Sequence, residues 1–155
     1  TFIACGPGTM RTSQKITRIQ LDINLNDRFF LYGIVSTDPD YKLSLALNKK
    51  MGISLKNITP LHLPDDTGNE LTFSRFSYSN HSDDIIYNLI SNRSGKQFLL
   101  KKLKNIDYIF QVHYPDCDNC NSKVSSLRKG TESVNAVFFI DTETFNDKNL
   151  QYIIQ

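Results

Sequence analysis

Phe29-Phe30-Leu31-Tyr32-Gly33-Ile34-Val35 is an apolar run broken only by a glycine, and its aromatic and β-branched content predicts a buried strand. Just upstream, Thr17, Ile19, Leu21, Ile23 and Leu25 alternate with Arg18, Gln20, Asp22 and Asn24. A period of two marks a strand with one wet face. Asn26-Asp27 turns the chain between the two segments, which predicts a hairpin. Downstream, Asp38-Pro39-Asp40 has the composition of a helix start: Asp38 to cap the free N–H groups, Pro39 at the first helical position and Asp40 in the positive first turn. Leu43, Ala46, Leu47 and Met51 follow at helical spacing, with Lys42, Asn48 and Lys49 on the other side. Lys49-Lys50 suits the negative end of that helix, and Gly52 its stop.

Further along, Pro60 and Pro64 flank a short extended stretch, and Asp65 to Asn69 is a turn cluster. Strands are predicted at Glu70 to Tyr78 and at Ile85 to Ser91, joined by the polar loop Ser79 to Asp84. In the first, the apolar parity switches from Leu71/Phe73 to Phe76/Tyr78, a slip that a β-bulge near Arg75 would produce. Gln97 to Lys104 reads as a short helix or as a strand. Ile106, Tyr108, Phe110 and Val112 alternate with Asp107, Ile109, Gln111 and His113, giving another strand. A loop from Tyr114 to Asn121 leads to a short helix, Ser122 to Lys129, ended by Gly130. Val134, Ala136, Phe138 and Ile140 form the last strand, which Val137 and Phe139 make apolar on both sides, and a turn or helix around Asn149 to Ile154 follows. The sum is a single α+β domain with a largely antiparallel sheet and two to three helices. Its C-terminal part, Ile106 to Ile140, is expected to be a right-handed β-α-β unit.

The chain has 155 residues, and eighteen basic against sixteen acidic side chains leave a formal net charge of +2. A chain of this length buries about 68–70% of its unfolded surface, so a core forms without disulfides or metal. Ten Phe and seven Tyr supply bulky packing groups in the absence of Trp. The near-neutral balance excludes a generally cationic nucleic-acid binder and an acidic disordered chain. No apolar run approaches the roughly 20 residues that span a bilayer, so no membrane partner is expected. Cys5, Cys117 and Cys120 are an odd, small set without a disulfide framework, which favours a reducing, cytoplasmic compartment. Residues 1–9 carry a Gly-Pro-Gly turn and no charge or periodicity, and Met10 follows. We read them as a non-native or disordered leader and residues 10–155 as the domain. The rival reading, in which Phe2-Ile3-Ala4-Cys5 ends a lipoprotein signal, lacks the charged opening and most of the apolar stretch.

The most suggestive local pattern is His113-x3-Cys117-x2-Cys120, three potential zinc ligands to which Asp116 or Asp118 would add a fourth. No second ligand pair accompanies it, and the acidic neighbours disfavour a reactive redox thiol. These read first as ordinary loop cysteines, with no metal or other cofactor. A second pattern is the basic stretch Arg93, Lys96, Lys101, Lys102 and Lys104, with no acid until Asp107 and with Phe98 and Tyr108 nearby. Basic groups interleaved with aromatics track a nucleic-acid backbone while bases stack. The plainer alternative has Leu99, Leu100 and Leu103 facing the core while the lysines are solvated. His62, His81 and His113 stand without a recognisable nucleophile, and Asp65-Asp66 and Asp83-Asp84 are turn residues. No catalytic residue is assigned. Arg75, Asn92, Arg93 and Asp107 are the polar groups on or beside strands that remain as surface candidates.

Phe30 to Val35, Asp40-Tyr41-Lys42-Leu43 with Leu47-Asn48, Phe73-Ser74-Arg75-Phe76 and Leu89-Ile90-Ser91-Asn92 together resemble an uncharacterised family of Bacteroidota named for an Ile-Pro-Glu-x-x-x-Val-Asp-Tyr signature. The corresponding segment here is Leu100 to Tyr108. It keeps Asp107-Tyr108, has Ile106 for Val, and carries Lys101 and Lys102 in place of Pro and Glu. The resemblance runs from about Lys15 to Ile154 and implies a small cytoplasmic bacterial protein, with no catalytic residue or cofactor to carry over. The leading expectation is a non-enzymatic binding or adaptor domain for a protein partner or a homodimer, using a sheet edge or face. RNA or nucleotide binding through Arg93–Lys104 comes second, and an enzyme third.

Overall fold

The computed structural model describes residues 29–80, 82, 85–113, 124, 126–129, 131–142, 145 and 147–153. Strand β1 (Phe29–Val35) leads into helix α1 (Asp40–Met51), followed by β2 (Lys56–Pro64), β3 (Glu70–Asn80) and β4 (Ile85–Ser91). The short strands β5 (Arg93–Ser94) and β6 (Gln97–Phe98) pair as a hairpin of their own. Strand β7 (Tyr108–His113), a 3₁₀ turn (Ser126–Arg128), β8 (Ala136–Ile140) and a 3₁₀ helix (Lys148–Tyr152) complete the described chain. Six strands form one sheet in the order β2-β3-β4-β7-β1-β8, and each of its ladders is antiparallel.

The sheet is buried on both faces, which is why Phe29–Val35 has no polar alternation. On one face Tyr32 and Ile34 of β1 pack with Leu89 of β4, Phe110 and Val112 of β7, and Leu43 and Leu47 of α1. Tyr87 stacks on Phe110 at 5.8 Å and on Tyr78 at 6.3 Å, carrying this core across three strands. On the other face Leu31, Phe73, Ile90 and Ile109 pack under Leu99, Leu100, Leu150 and Ile153. Gly33 faces that second core. A Cβ there would lie 2.7 Å from Ile106 Cδ1, so the missing side chain is what lets Ile106 seat on β1.

Several expectations need correction. One long α-helix is present among the described residues, and of the helix predicted over Ser122–Lys129 the described residues show Val124 as helical and Ser126–Arg128 as a 3₁₀ turn. The expected C-terminal β-α-β unit is not shown among the described residues: β7 and β8 both run antiparallel to β1, so they are parallel to each other with β1 between them, and residues 114–123 of their connection lie outside the described residues. The predicted hairpin partner of β1, Thr17 to Leu25, lies outside the described residues. Over Leu31–Ile34 both edges of β1 are taken by strands from distant parts of the chain.

Helix α1 occupies the expected span and ends at Gly52 in a left-handed turn, φ 68°, whose N–H donates to the Asn48 carbonyl at 2.9 Å. Its start differs. Pro39 rather than Asp38 is the N-cap and no side chain caps the helix, while the Asp38 carboxylate pairs with Lys42 at 3.4 Å instead.

The parity switch in β3 is not a bulge of that strand. Its ladder to β4 runs without interruption from Arg75↔Ile90 to Asn80↔Ile85. Phe73 belongs to one core and Phe76 to the other, so the strand changes the face it buries without slipping. The bulge sits on the neighbour: in β2, Thr59 and Pro60 lie opposite the single Ser74. Pro60 has no N–H to lose there, and β2 is an edge strand of the sheet among the described residues. Gln97 to Lys104 is neither helix nor strand beyond Phe98, and it crosses the second face as irregular backbone. No helix among the described residues is long and apolar enough to cross a membrane.

Candidate functional site

The four surface candidates all hold the fold together. Asn92 is fully buried. Its amide donates to the carbonyls of Leu103 and Ile106, both at 2.9 Å, and its side-chain oxygen accepts from Leu100 N–H at 2.8 Å. Its own N–H donates to the Asp107 carbonyl, and its carbonyl accepts from Leu99 N–H. The side chain thus ties together the backbone of Leu100, Leu103 and Ile106, and gives the buried Leu100 N–H and Ile106 carbonyl their partner. Arg75 Nε donates to the Thr59 carbonyl at 2.8 Å, and so satisfies an acceptor in the β2 bulge.

Asp107 joins three elements. One carboxylate oxygen accepts from Ser36 N–H at 2.9 Å beyond β1, and the other meets Arg93 Nε at 2.8 Å. The Arg93 guanidinium also lies over the Phe98 ring, 5.1 Å from its centroid. The adjacent Tyr108 donates its hydroxyl to the Asp38 carbonyl at 2.7 Å, linking β7 to the start of α1. Burial, reinforced by Asp40, Asp107 and Asp38, pushes the Tyr108 phenol up to about 12. A hydrogen bond from Ser133, together with Lys42, holds the Asp38 carboxyl below its ordinary value. Asp107-Tyr108 therefore works as a structural joint.

The basic stretch divides among separate jobs. Arg93 is committed to Asp107, and Lys101 reaches Asp66 in the β2–β3 turn at 3.7 Å. The backbone N–H of Lys102 donates to Asp147 at 3.4 Å. Lys96 and Lys104 are exposed, while Leu99 and Leu100 are fully buried. This is the solvated-face arrangement. Of the proposed metal ligands, His113 is the last residue of β7, and Cys117 and Cys120 lie outside the described residues. No group of three metal-ligating side chains occurs among the described residues. His62 is held between Thr72 Oγ1 at 3.2 Å and Glu70 at 3.6 Å on exposed strand surface.

Two concave surfaces are formed by the described residues. A groove of about 500 Å³ runs beside β8, lined by Leu103, Ile106, Phe138, Phe139 and Phe145. Phe138 and Phe139 are 48% and 55% exposed, although Phe139 rests partly on Tyr32 and Phe30. A second cleft of about 330 Å³ lies between the β2–β3 turn, β6 and the 3₁₀ helix Lys148–Tyr152. Neither was marked by the sequence. Phe138-Phe139 looked doubly buried because strand order, which puts β8 at an edge of the described sheet, is not written in a local pattern. The walls of the second cleft come from segments some eighty residues apart, which no local pattern joins. No family model matches the chain, and no curated protein was found that is similar to it.

Proposed function

We propose that this is a protein-binding domain without chemistry of its own, and that β8 is its docking edge, paired in the simplest case with β8 of a second copy. The exposure of Phe138 and Phe139 on that strand carries the reading. Sheet edges are normally blunted by charge, proline or bulges. Edge β2 has all three, in Lys56, Pro60, Pro64 and its register shift. Ala136–Ile140 has no charge and no proline, and no strand pairs with its outer edge among the described residues. Strand addition would supply the missing ladder bonds, and the adjoining groove would take alternate side chains. Membership in the Bacteroidota family and cytoplasmic residence belong to the same proposal.

Light scattering on the full chain across a concentration series tests it. The expected result is twice the chain mass, falling to a monomer in Phe138→Lys with an unchanged circular dichroism spectrum. A wild-type chain that remains monomeric at every concentration overturns the proposed pairing of β8 with a second copy. Nucleic-acid binding through Arg93–Lys104 is the second reading, favoured by the exposure of Lys96, Lys101, Lys102 and Lys104 on one segment. Mixed RNA at low and high salt separates the two, since phosphate contacts weaken steeply with salt.

A further inference from the structure

We propose that the 330 Å³ cleft beside the 3₁₀ helix Lys148–Tyr152 is a binding site for a small planar aromatic molecule carrying one negative charge. The inference is independent of the β8 surface, which lies against different residues. The volume sits at the lower end of the range for small-molecule sites, about 300–1,000 Å³. The apolar surfaces of the cleft come from Leu71 of β3 together with the rings of Phe98 and Tyr152, backed by the fully buried Phe73. Phe98 is held in place from outside by the Arg93 guanidinium, so this wall is preorganised.

The polar groups decide the charge of the ligand. The carboxylates on the rim are already engaged. Asp65 accepts from Thr67 N–H, Thr67 Oγ1–H and Asn69 N–H at 2.7–2.8 Å, bonds that close its own turn and hold its carboxyl below the ordinary value. Asp66 meets Lys101 at 3.7 Å, but Asp66 is 86% exposed, so this pair is weak and Lys101 can be drawn from it. Among the described residues, what remains to bind is the Lys148 ammonium, a charged donor, and the carboxamides of Gln97 and Gln151, which donate or accept as the ligand requires. Two lysines against two aspartates leave no excess positive field, which disfavours a di- or trianionic phosphate. A single carboxylate or sulfonate, seated at Lys148 and competing with Asp66 for Lys101, fits both the donors and the balance of charge. The aromatic body then covers Leu71, Phe98 and Tyr152.

The test uses anilinonaphthalene sulfonate and its uncharged counterpart phenylnaphthylamine, followed by fluorescence and by amide NMR on the full chain. The expected result is saturable sulfonate binding with shifts centred on Gln97, Phe98, Lys101, Gln151 and Tyr152. Lys148→Ala, an exposed position, should weaken the sulfonate about two- to fivefold and leave phenylnaphthylamine unchanged. Phe98→Ala should weaken both probes. Shifts centred instead on Phe138 and Phe139, equal loss of both probes in Lys148→Ala, or no saturable binding would each overturn the proposal.

Discussion

The two faces of the sheet are covered in opposite ways. On one, helix α1 lays Leu43 and Leu47 onto the aromatic stack of Tyr78, Tyr87 and Phe110, and its backbone groups satisfy one another within the helix. On the other, irregular backbone brings Leu99 and Leu100 onto Leu31 and Ile109, and has no such internal ladder. There the single amide of Asn92 does the work of a helix's hydrogen bonds. The difference teaches where the fold is robust. An apolar layer built on a helix tolerates graded damage, whereas a layer hung on one polar side chain fails when that side chain is lost.

Asn92→Leu is the sharpest way to break this picture. The substitution keeps the number and branching of side-chain heavy atoms, and it leaves Leu100 N–H and the Ile106 carbonyl without their partner, while the Leu103 carbonyl keeps the Ile106 N–H. Unsatisfied buried groups cost roughly 1–3 kcal/mol each, so a loss on the order of 3–5 kcal/mol is expected in urea unfolding. Leu47→Ala on the helix side should cost about 3 kcal/mol, the usual penalty for a cavity in a packed core. If Asn92→Leu proves milder than Leu47→Ala, the second face does not depend on its hub.

The two faces also differ in how far they were legible. Helix α1 could be read residue by residue, because a period of 3.6 repeats the same local rule over a dozen positions. Asn92 could not, because Ser91-Asn92-Arg93-Ser94 has the composition of any polar turn and its partners lie eight to fourteen residues away. The parity switch in β3 is legible in the sequence, but the bulge it suggests lies in β2. Period-two reasoning assumes one buried face, and this sheet has two. For the candidate site, the basic residues were visible, yet their partners Asp66, Asp107 and Asp147 come from other segments, so their engagement was not. Edge position, which exposes Phe138 and Phe139, is a property of strand order alone.

Gly33 offers a smaller test on the second face. In Gly33→Ala the new Cβ would fall 2.7 Å from Ile106 Cδ1, and Ile106 is anchored because its carbonyl accepts from Asn92. Overpacking of this kind costs typically about 1–3 kcal/mol. Ile106→Val should remove part of the conflict, so the double variant is expected to be more stable than the sum of the single losses predicts. Strict additivity in a double-mutant cycle would mean that Ile106 moves freely and that the loop is not fixed where Asn92 holds it.

The smallest expected effect is at the joint between the two coverings, where Tyr108 of β7 reaches the Asp38 carbonyl ahead of α1. Burial and the neighbouring carboxylates raise its phenol from the ordinary 10 to about 12 in the folded protein. The folded state therefore holds the phenolic proton more tightly than the unfolded chain does, and the associated stability is fully present below pH 10. It is lost as pH rises from 10 through about 12, where the folded protein must expel a buried anion from among Asp38, Asp40 and Asp107. Tyr108→Phe removes the titration together with the hydrogen bond. At neutral pH the variant should be less stable by about 1 kcal/mol, the usual net worth of one such bond. Between pH 10 and 12 its stability should fall less steeply than that of the wild type, and the two curves should converge. Parallel curves across that interval would show that the alkaline loss belongs to other groups, and that the joint is held by packing rather than by the proton on Tyr108.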